Sequence, residues 1–166
     1  AASGFAEARS GKPKVPPGRD PGGIAVALIG GGIDYRMPEL AARLARDGEG
    51  ELIGWDIADN DRQPYASAND DGPLASRLID DARDARLVPV RVMAGRHDQI
   101  AAALRFTGGT PARIAIVAAQ AGELLPLAGL AEAARRLPGL LIVVPARRME
   151  TRPPTVAERA GLLVVA

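Results

Sequence analysis

Cysteine is absent from this chain of 166 residues, and histidine occurs once, at His97. The lack of cysteine excludes disulfide scaffolds, thiolate metal sites and cysteine nucleophiles. The single histidine excludes any mechanism that needs two imidazole groups. Aromatic residues make up only 3% of the chain, so Ala, Val, Leu and Ile must fill the core.

The chain also lacks an excess of either charge, because it has 21 Lys and Arg and 20 Asp and Glu. A near-neutral balance gives no bulk attraction to nucleic acid. Apolar runs fall short of the roughly 18 to 20 residues that a membrane span needs. The C-terminal arginines lack the interleaved aromatics of a nucleic-acid module, so they are interpreted as solubilising charge; they are Arg135, Arg136, Arg147, Arg148 and Arg152.

Two regions differ in composition. Residues 1–23 are rich in Gly, Pro, Ala and Ser without periodicity, which predicts a flexible leader. This leader has neither an initiator Met nor an apolar signal core, which fits a chain processed by signal-peptide removal and equally an expressed fragment. The whole chain is 47% hydrophobic. Residues 24–166 are predicted to form one globular domain.

Within residues 24–166, short aliphatic runs alternate with amphipathic ones. This alternation predicts a doubly wound, three-layer α/β/α fold with a mostly parallel sheet and right-handed crossovers. Strands are predicted at 24–29, 51–57, 87–93, 113–119, 140–146 and 162–166, and helices at 38–46, 73–85, about 98–106 and about 123–136.

The glycine turn after the first predicted strand is the first candidate for chemistry. Gly30, Gly31 and Gly32 could present backbone amides to a pyrophosphate, with Asp56 as a ribose partner. However, Tyr35 stands where that motif needs a small residue, so no dinucleotide is expected.

Other polar residues carry weaker signals. His97 lies in a polar turn and is predicted to be an exposed turn or cap residue, and Ser67 and Ser76 have no base adjacent in sequence. Acidic oxygens could hold a hard cation, but their spacing does not fit a twelve-residue calcium loop. No metal and no cofactor are therefore predicted for the acidic group formed by Asp56, Asp59, Asn60, Asp61, Asp70 and Asp71.

Residues 26–44, VALIGGGIDYRMPELAARL, resemble the first catalytic segment of subtilisin-like serine proteases. The pattern is kept at Gly32, Ile33, Asp34, Pro38, Glu39 and Leu40. Further segments are similar to the strands that follow in that family, so the resemblance covers residues 24–166. It implies a subtilisin-like form of the fold and a secreted or periplasmic location.

The resemblance also locates what the chain would need for proteolysis, namely a nucleophile, a base, an acid and an oxyanion donor. The acid position is Gly30, the His-Gly-Thr motif of the base is replaced around Pro73, and the oxyanion asparagine falls at Arg148. The serine motif would lie beyond Ala166. The resemblance therefore implies a truncated pseudoprotease that lacks the serine-bearing segment and is not an enzyme.

Binding is the function expected of such a domain. The strand that pairs with substrate in the family corresponds to Ile116, Val117, Ala118 and Ala119. The missing serine segment would leave an apolar groove beside Leu74 and Leu78 for a protein partner or a second copy. Two alternatives remain open: a serine endopeptidase completed by another chain, and a nucleotide-binding domain that uses the glycine turn.

Overall fold

The structure, a computed structural model, describes residues 11–118, 127–145 and 161–165. Over these ranges the chain forms six strands and four helices. In chain order they are β1 (Ile24–Gly30), α1 (Pro38–Ala41), β2 (Trp55–Asp56), α2 (Gly72–Asp81), β3 (Ala85–Arg91), α3 (His97–Gly108), β4 (Ile114–Val117), α4 (Leu127–Arg136), β5 (Leu141–Pro145) and β6 (Leu162–Val165).

The strands form a single sheet in the order β2-β3-β1-β4-β5-β6. Each pair of neighbouring strands is parallel, which confirms the predicted α/β class. β1 lies in the middle, where Ile29 stands opposite Val90 of β3 and Val117 of β4. The carboxyl ends of β1, β2 and β3 therefore meet at one edge of the sheet.

Helices cover both faces of the sheet, as predicted. α3 and α4 pack on the face that carries Ile29, Val88 and Val117. α1 and α2 pack on the opposite face, which carries Leu28 and Leu87. Small side chains dominate the first interface, so helices approach the sheet closely despite the scarcity of aromatics; among them are Ala25, Ala27, Ala103, Ala115 and Ala134.

The crossovers do not all have one hand. The connections β2 to β3, β3 to β4 and β4 to β5 step in the same direction along the sheet. α3 and α4 lie on one face, whereas α2 lies on the other. The β2-α2-β3 connection must then have the opposite hand, so uniform right-handedness, the usual rule, was a wrong prediction here. Its effect is to bring the start of α2 to the end of β1.

Two predicted elements between β1 and α2 are shorter than their sequence patterns indicate. The predicted helix 38–46 ends at Ala41, because the following residues turn and pair with β3. The N–H of Ala45 donates to the carbonyl of Leu87, whose own N–H donates to Arg43. The predicted strand 51–57 shrinks to Trp55–Asp56, with Leu52 forming an isolated bridge to Arg46.

Several of residues 11–23 contact the α/β body. The Asp20 carboxylate accepts hydrogen bonds from the N–H of Arg46 and from the guanidinium of Arg86. Val15 packs against the cluster around Leu28. The predicted leader boundary at Gly23 is therefore not where contact with the domain begins.

Among the helices that the structure describes, none is long and apolar enough to cross a bilayer.

Candidate functional site

The glycine turn after β1 is filled by a carboxylate from another part of the chain. Asp71, the residue that precedes α2, accepts a 2.8 Å hydrogen bond from the N–H of Gly32 and another from the N–H of Gly31. A Cβ at Gly30 would lie 2.5 and 2.6 Å from the two Asp71 oxygens. The Asp71 carboxyl group thus occupies the space that any side chain at position 30 would need.

Local backbone geometry holds Asp71 in this place. The N–H of Asp71 donates to the carbonyl of Gly32, and its own carbonyl accepts from Ala75 in the first turn of α2. Gly32 has φ of +103°, a conformation that favours glycine and turns its N–H toward the carboxylate. Asn69 closes the same loop, because its Oδ1 accepts a 2.7 Å hydrogen bond from the N–H of Asp34.

The environment of Asp71 changes its acidity. The side chain is only 5% exposed, and this burial raises the pKa to about 6. The N–H groups of Gly32 and Gly31 oppose the shift, and the charge of Asp70 adds to it. A carboxyl group that titrates near neutrality can act as an acid or a base. Among the described residues, the groups that donate hydrogen bonds to Asp71 are backbone N–H groups. This arrangement is typical of a carboxylate that holds a loop in place rather than one that transfers a proton.

A second polar cluster lies at the ends of β2 and β3. Asp56 is fully buried, and its Oδ2 lies 2.5 Å from Lys12 Nζ and 2.8 Å from Arg91 Nη1. The same ammonium lies 2.7 Å from Asp59 and 3.1 Å from Asp61. Lys12 therefore occupies the position between three carboxylates where a cation would be expected to bind.

Electrostatics in this cluster favour the charged forms of Lys12 and Asp59. Burial alone would lower the pKa of Lys12, but its hydrogen bonds to the three aspartates outweigh burial and raise it. The hydrogen bond from Lys12 holds the pKa of Asp59 below its usual range. Within the described ranges, no group of three or more acidic or histidine side chains is arranged to hold a metal ion.

Both parts of the dinucleotide hypothesis meet an internal partner. The backbone N–H groups of Gly31 and Gly32 already donate hydrogen bonds to Asp71. In a nucleotide site the same groups would donate to a phosphate. Asp56, the suggested ribose partner, is paired with Lys12 and Arg91. A bound nucleotide would have to displace both sets of contacts.

The other candidate catalytic residues do not converge on the turn. His97 is the first residue of α3 and is exposed, which confirms the prediction made for it. Ser67 is exposed in a loop, and Ser76 is half-buried on α2. Pro73 is exposed in the first turn of α2, so Asp71 and not Pro73 faces Gly30. Arg148 lies outside the described residues.

The proposed peptide-binding strand lies inside the sheet over part of its length. Ile116 is paired on both sides, with Leu28 of β1 and with Val143 of β5, whereas the pairing of Val117 is with Ile29 of β1. The N–H of Ala118 donates to the carbonyl of Ile29 at 2.8 Å. Pairing on both sides overturns the prediction for Ile116. It stays a prediction for Val117 and Ala118, and Ala119 lies outside the described residues.

The predicted groove residues lie on the face of the sheet that also carries exposed apolar side chains. Leu74 is 38% exposed, and Leu78 is half-buried against the Leu28 cluster. On the same face of the sheet, Leu141, Leu163 and Val165 are 39%, 46% and 40% exposed. Ile114, Ile116 and Val143 on this face are half-buried, whereas their neighbours Ala115, Ile142 and Val144 on the α3 and α4 face are buried. We call this exposed set, Leu141, Leu163 and Val165, the apolar face.

Sequence reasoning missed the contact of Asp71 with the glycine turn and the contact of Lys12 with the acidic loop. An aspartate directly before Gly-Pro at a helix start is a typical cap position, but the Asp71 side chain makes no cap hydrogen bond to α2 and contacts Gly32 instead. The second joins residues 44 or more positions apart, and no local pattern marks such a pair. Neither protein-family models nor the curated proteins give a match to this chain.

Proposed function

We propose that this chain is a non-catalytic, subtilisin-like domain that acts by binding another protein. The observation that carries the proposal is the placement of Asp71 on Gly30. In the family that the sequence resembles, position 30 would hold the acid of the catalytic triad. Here that position has no side chain, and the space beside it is taken by a carboxylate committed to backbone amides.

The position of the lone histidine supports the loss of catalysis. A triad needs the base within hydrogen-bonding distance of both the acid and the nucleophile. His97 begins α3, which packs on the face of the sheet opposite to α2 and its preceding residue Asp71. The imidazole is exposed and begins a helix on the face away from Asp71, which does not suit the base of a triad.

The apolar face supports the binding role. Leu141, Leu163 and Val165 are large hydrophobic side chains that lie in adjacent strands and are exposed by more than a third. β6 is the terminal strand of the described sheet and carries no charged residue. Contiguous exposed apolar surface beside an uncharged edge strand is typical of a protein interface. The proposed partner is a protein surface, and self-association is the first interaction to measure.

An active-site probe tests the loss of catalysis. A fluorophosphonate reagent labels serine hydrolases covalently, and an active subtilisin-type protease is the positive control. We expect no labelling of this chain, alone or after heat treatment. Labelling that depends on the folded chain would overturn the proposal.

A further inference from the structure

Residues 12–20, called the strap, bind the α/β body in the manner of an extended peptide ligand. Side-chain contacts hold its two ends, at Lys12 and Asp20, and the carbonyl groups of Pro13 and Pro16 accept hydrogen bonds between them. It contains three prolines, at positions 13, 16 and 17, which favour an extended backbone that lacks internal hydrogen bonds. Such a backbone leaves its carbonyl groups free for recognition.

The N-terminal end of the strap is bound through ion pairs. Lys12 is only 15% exposed and lies within 3.1 Å of three carboxylates, Asp56, Asp59 and Asp61. Arg91 is the other cation of this cluster and reaches Asp56 and Asp59. Asp61 is paired with Lys12 and not with Arg91, so the strap supplies a second cation that this cluster uses.

The middle of the strap is bound through hydrogen bonds to its carbonyl groups and through the packing of one apolar side chain. The hydroxyl of Tyr35 donates a 2.7 Å hydrogen bond to the carbonyl of Pro13, and Nη2 of Arg46 donates one of 2.6 Å to the carbonyl of Pro16. Both donors belong to buried side chains. Between these two bonds, Val15 packs against the cluster that contains Tyr35 and Leu40. Fixed donors around an apolar site are the usual features of peptide grooves.

We propose that these residues form a peptide-binding groove that accepts an extended Lys-Pro-x-Val-Pro segment, filled in this chain by its own strap. A segment of the same chemistry from another molecule then competes with the strap for the groove. The groove is separate from the apolar face, so this inference goes beyond the proposed function and does not depend on it.

The strap limits binding of an external peptide because its local concentration is high. A tethered segment on a short connection has an effective concentration in the millimolar range. An added peptide therefore binds weakly to the unaltered chain and more tightly when the strap's own anchors are removed.

The test uses a fluorescent peptide with the sequence of residues 11–20 and the full chain carrying K12A together with V15S. Anisotropy titration is expected to show binding to this variant about tenfold tighter than to the unaltered chain. A matched peptide with glutamine in place of the lysine that corresponds to Lys12, and with the second lysine unchanged, should bind about tenfold more weakly. Circular dichroism melting establishes that the variant is folded, and K12A alone serves if the double variant is not.

Three outcomes decide the inference. Tight binding that requires the peptide lysine equivalent to Lys12, and that weakens in a further D61N variant, supports the groove. Failure of the peptide to bind the folded variant overturns it. Equal binding of the lysine and glutamine peptides also overturns it, because the acidic pocket would then contribute nothing to recognition. Self-association of the variants through the apolar face is measured separately by sedimentation.

Discussion

Asp71 and Gly32 are 39 residues apart in sequence and are joined by a 2.8 Å hydrogen bond from the Gly32 N–H to the carboxylate. This bond connects the start of α2 to the turn after β1. It places a buried carboxyl group in the position where an external anion or a side chain at Gly30 would otherwise lie. The consequences are a stability that depends on pH and a position that tolerates only glycine.

The first prediction concerns Asp71→Asn. Burial raises the pKa of Asp71 from 3.8 to about 6, so the folded state binds a proton that the unfolded state has already released between these values. The contribution of Asp71 to stability is therefore fully present below about pH 4 and is lost as the pH rises through 6, by about 3 kcal/mol. Asparagine removes this loss while it keeps an oxygen for the Gly32 N–H.

Urea unfolding of both proteins from pH 4 to pH 8 measures this effect. The Asn variant should gain stability over the unaltered chain as the pH increases, with a difference of about 1–3 kcal/mol at pH 8. A difference that does not change across this range would show that Asp71 is ionised in the folded state throughout.

The second prediction concerns Gly30→Ala. The added Cβ would lie 2.5 Å from an Asp71 oxygen, well inside van der Waals contact. We expect a loss of about 1–3 kcal/mol in the free energy of unfolding, as for other overpacked sites. The matched control is Gly48→Ala, because a Cβ at Gly48 meets nothing within 4 Å.

A double-mutant cycle identifies the source of this loss. In an Asp71→Ala background, the carboxylate is absent and most of the cost of Gly30→Ala should disappear. If the cost is the same in both backgrounds, the strain arises from the strand backbone and not from Asp71.

The class of the fold was predictable because its signals are local. Buried parallel strands such as IAVALI carry continuous aliphatic residues, and the start of α2 carries a proline in its first turn. The ends of elements were less predictable where distant backbone groups compete with the helix. Leu44 and Ala45 continue the helical pattern of α1, yet their neighbour β3 offers hydrogen bonds that the isolated helix could not match.

The site was predictable only in part, for the same reason. The glycine turn and the acidic loop were identified from sequence, because turn residues have recognisable local preferences. Their partners, Asp71 and Lys12, come from other segments of the chain and depend on the hand of the β2-α2-β3 connection and on the path of the strap. One sequence holds no direct record of either.

The third prediction concerns Lys12→Ala. Removal of the ammonium leaves Asp56 and Asp59 paired with Arg91 only, takes away the ion pair of Asp61, and frees the N-terminal end of the strap. Cleavage by trypsin after Lys14 should become about three- to tenfold faster, because the freed segment opens more often. The pKa of Asp59, which Lys12 holds low, should rise toward its ordinary value.

Lys12→Arg is the matched control for this variant. It retains a cation at the acidic cluster, and the following Pro13 keeps trypsin from cutting at position 12 itself. Protection at Lys14 should be largely retained in the Arg variant. Equal cleavage of the Ala variant and the unaltered chain would mean that the ion pairs do not hold the strap in place.

The last prediction concerns Leu163→Asp on the apolar face. Leu163 is 46% exposed, so a charge at this position should cost little in folding. At an interface, however, it would place an unpaired carboxylate in apolar surroundings, so self-association should weaken by about tenfold or more. Ala101→Asp is the control, since Ala101 is an exposed position on α3 at the opposite face of the sheet.

Sedimentation velocity over a range of concentrations compares the three proteins. A concentration-dependent dimer that is lost in the Leu163 variant and kept in the Ala101 variant would assign the interface to the apolar face. A dimer that both variants retain would place it elsewhere, and an unaltered chain that stays monomeric at every concentration would leave a different protein as the partner to be sought.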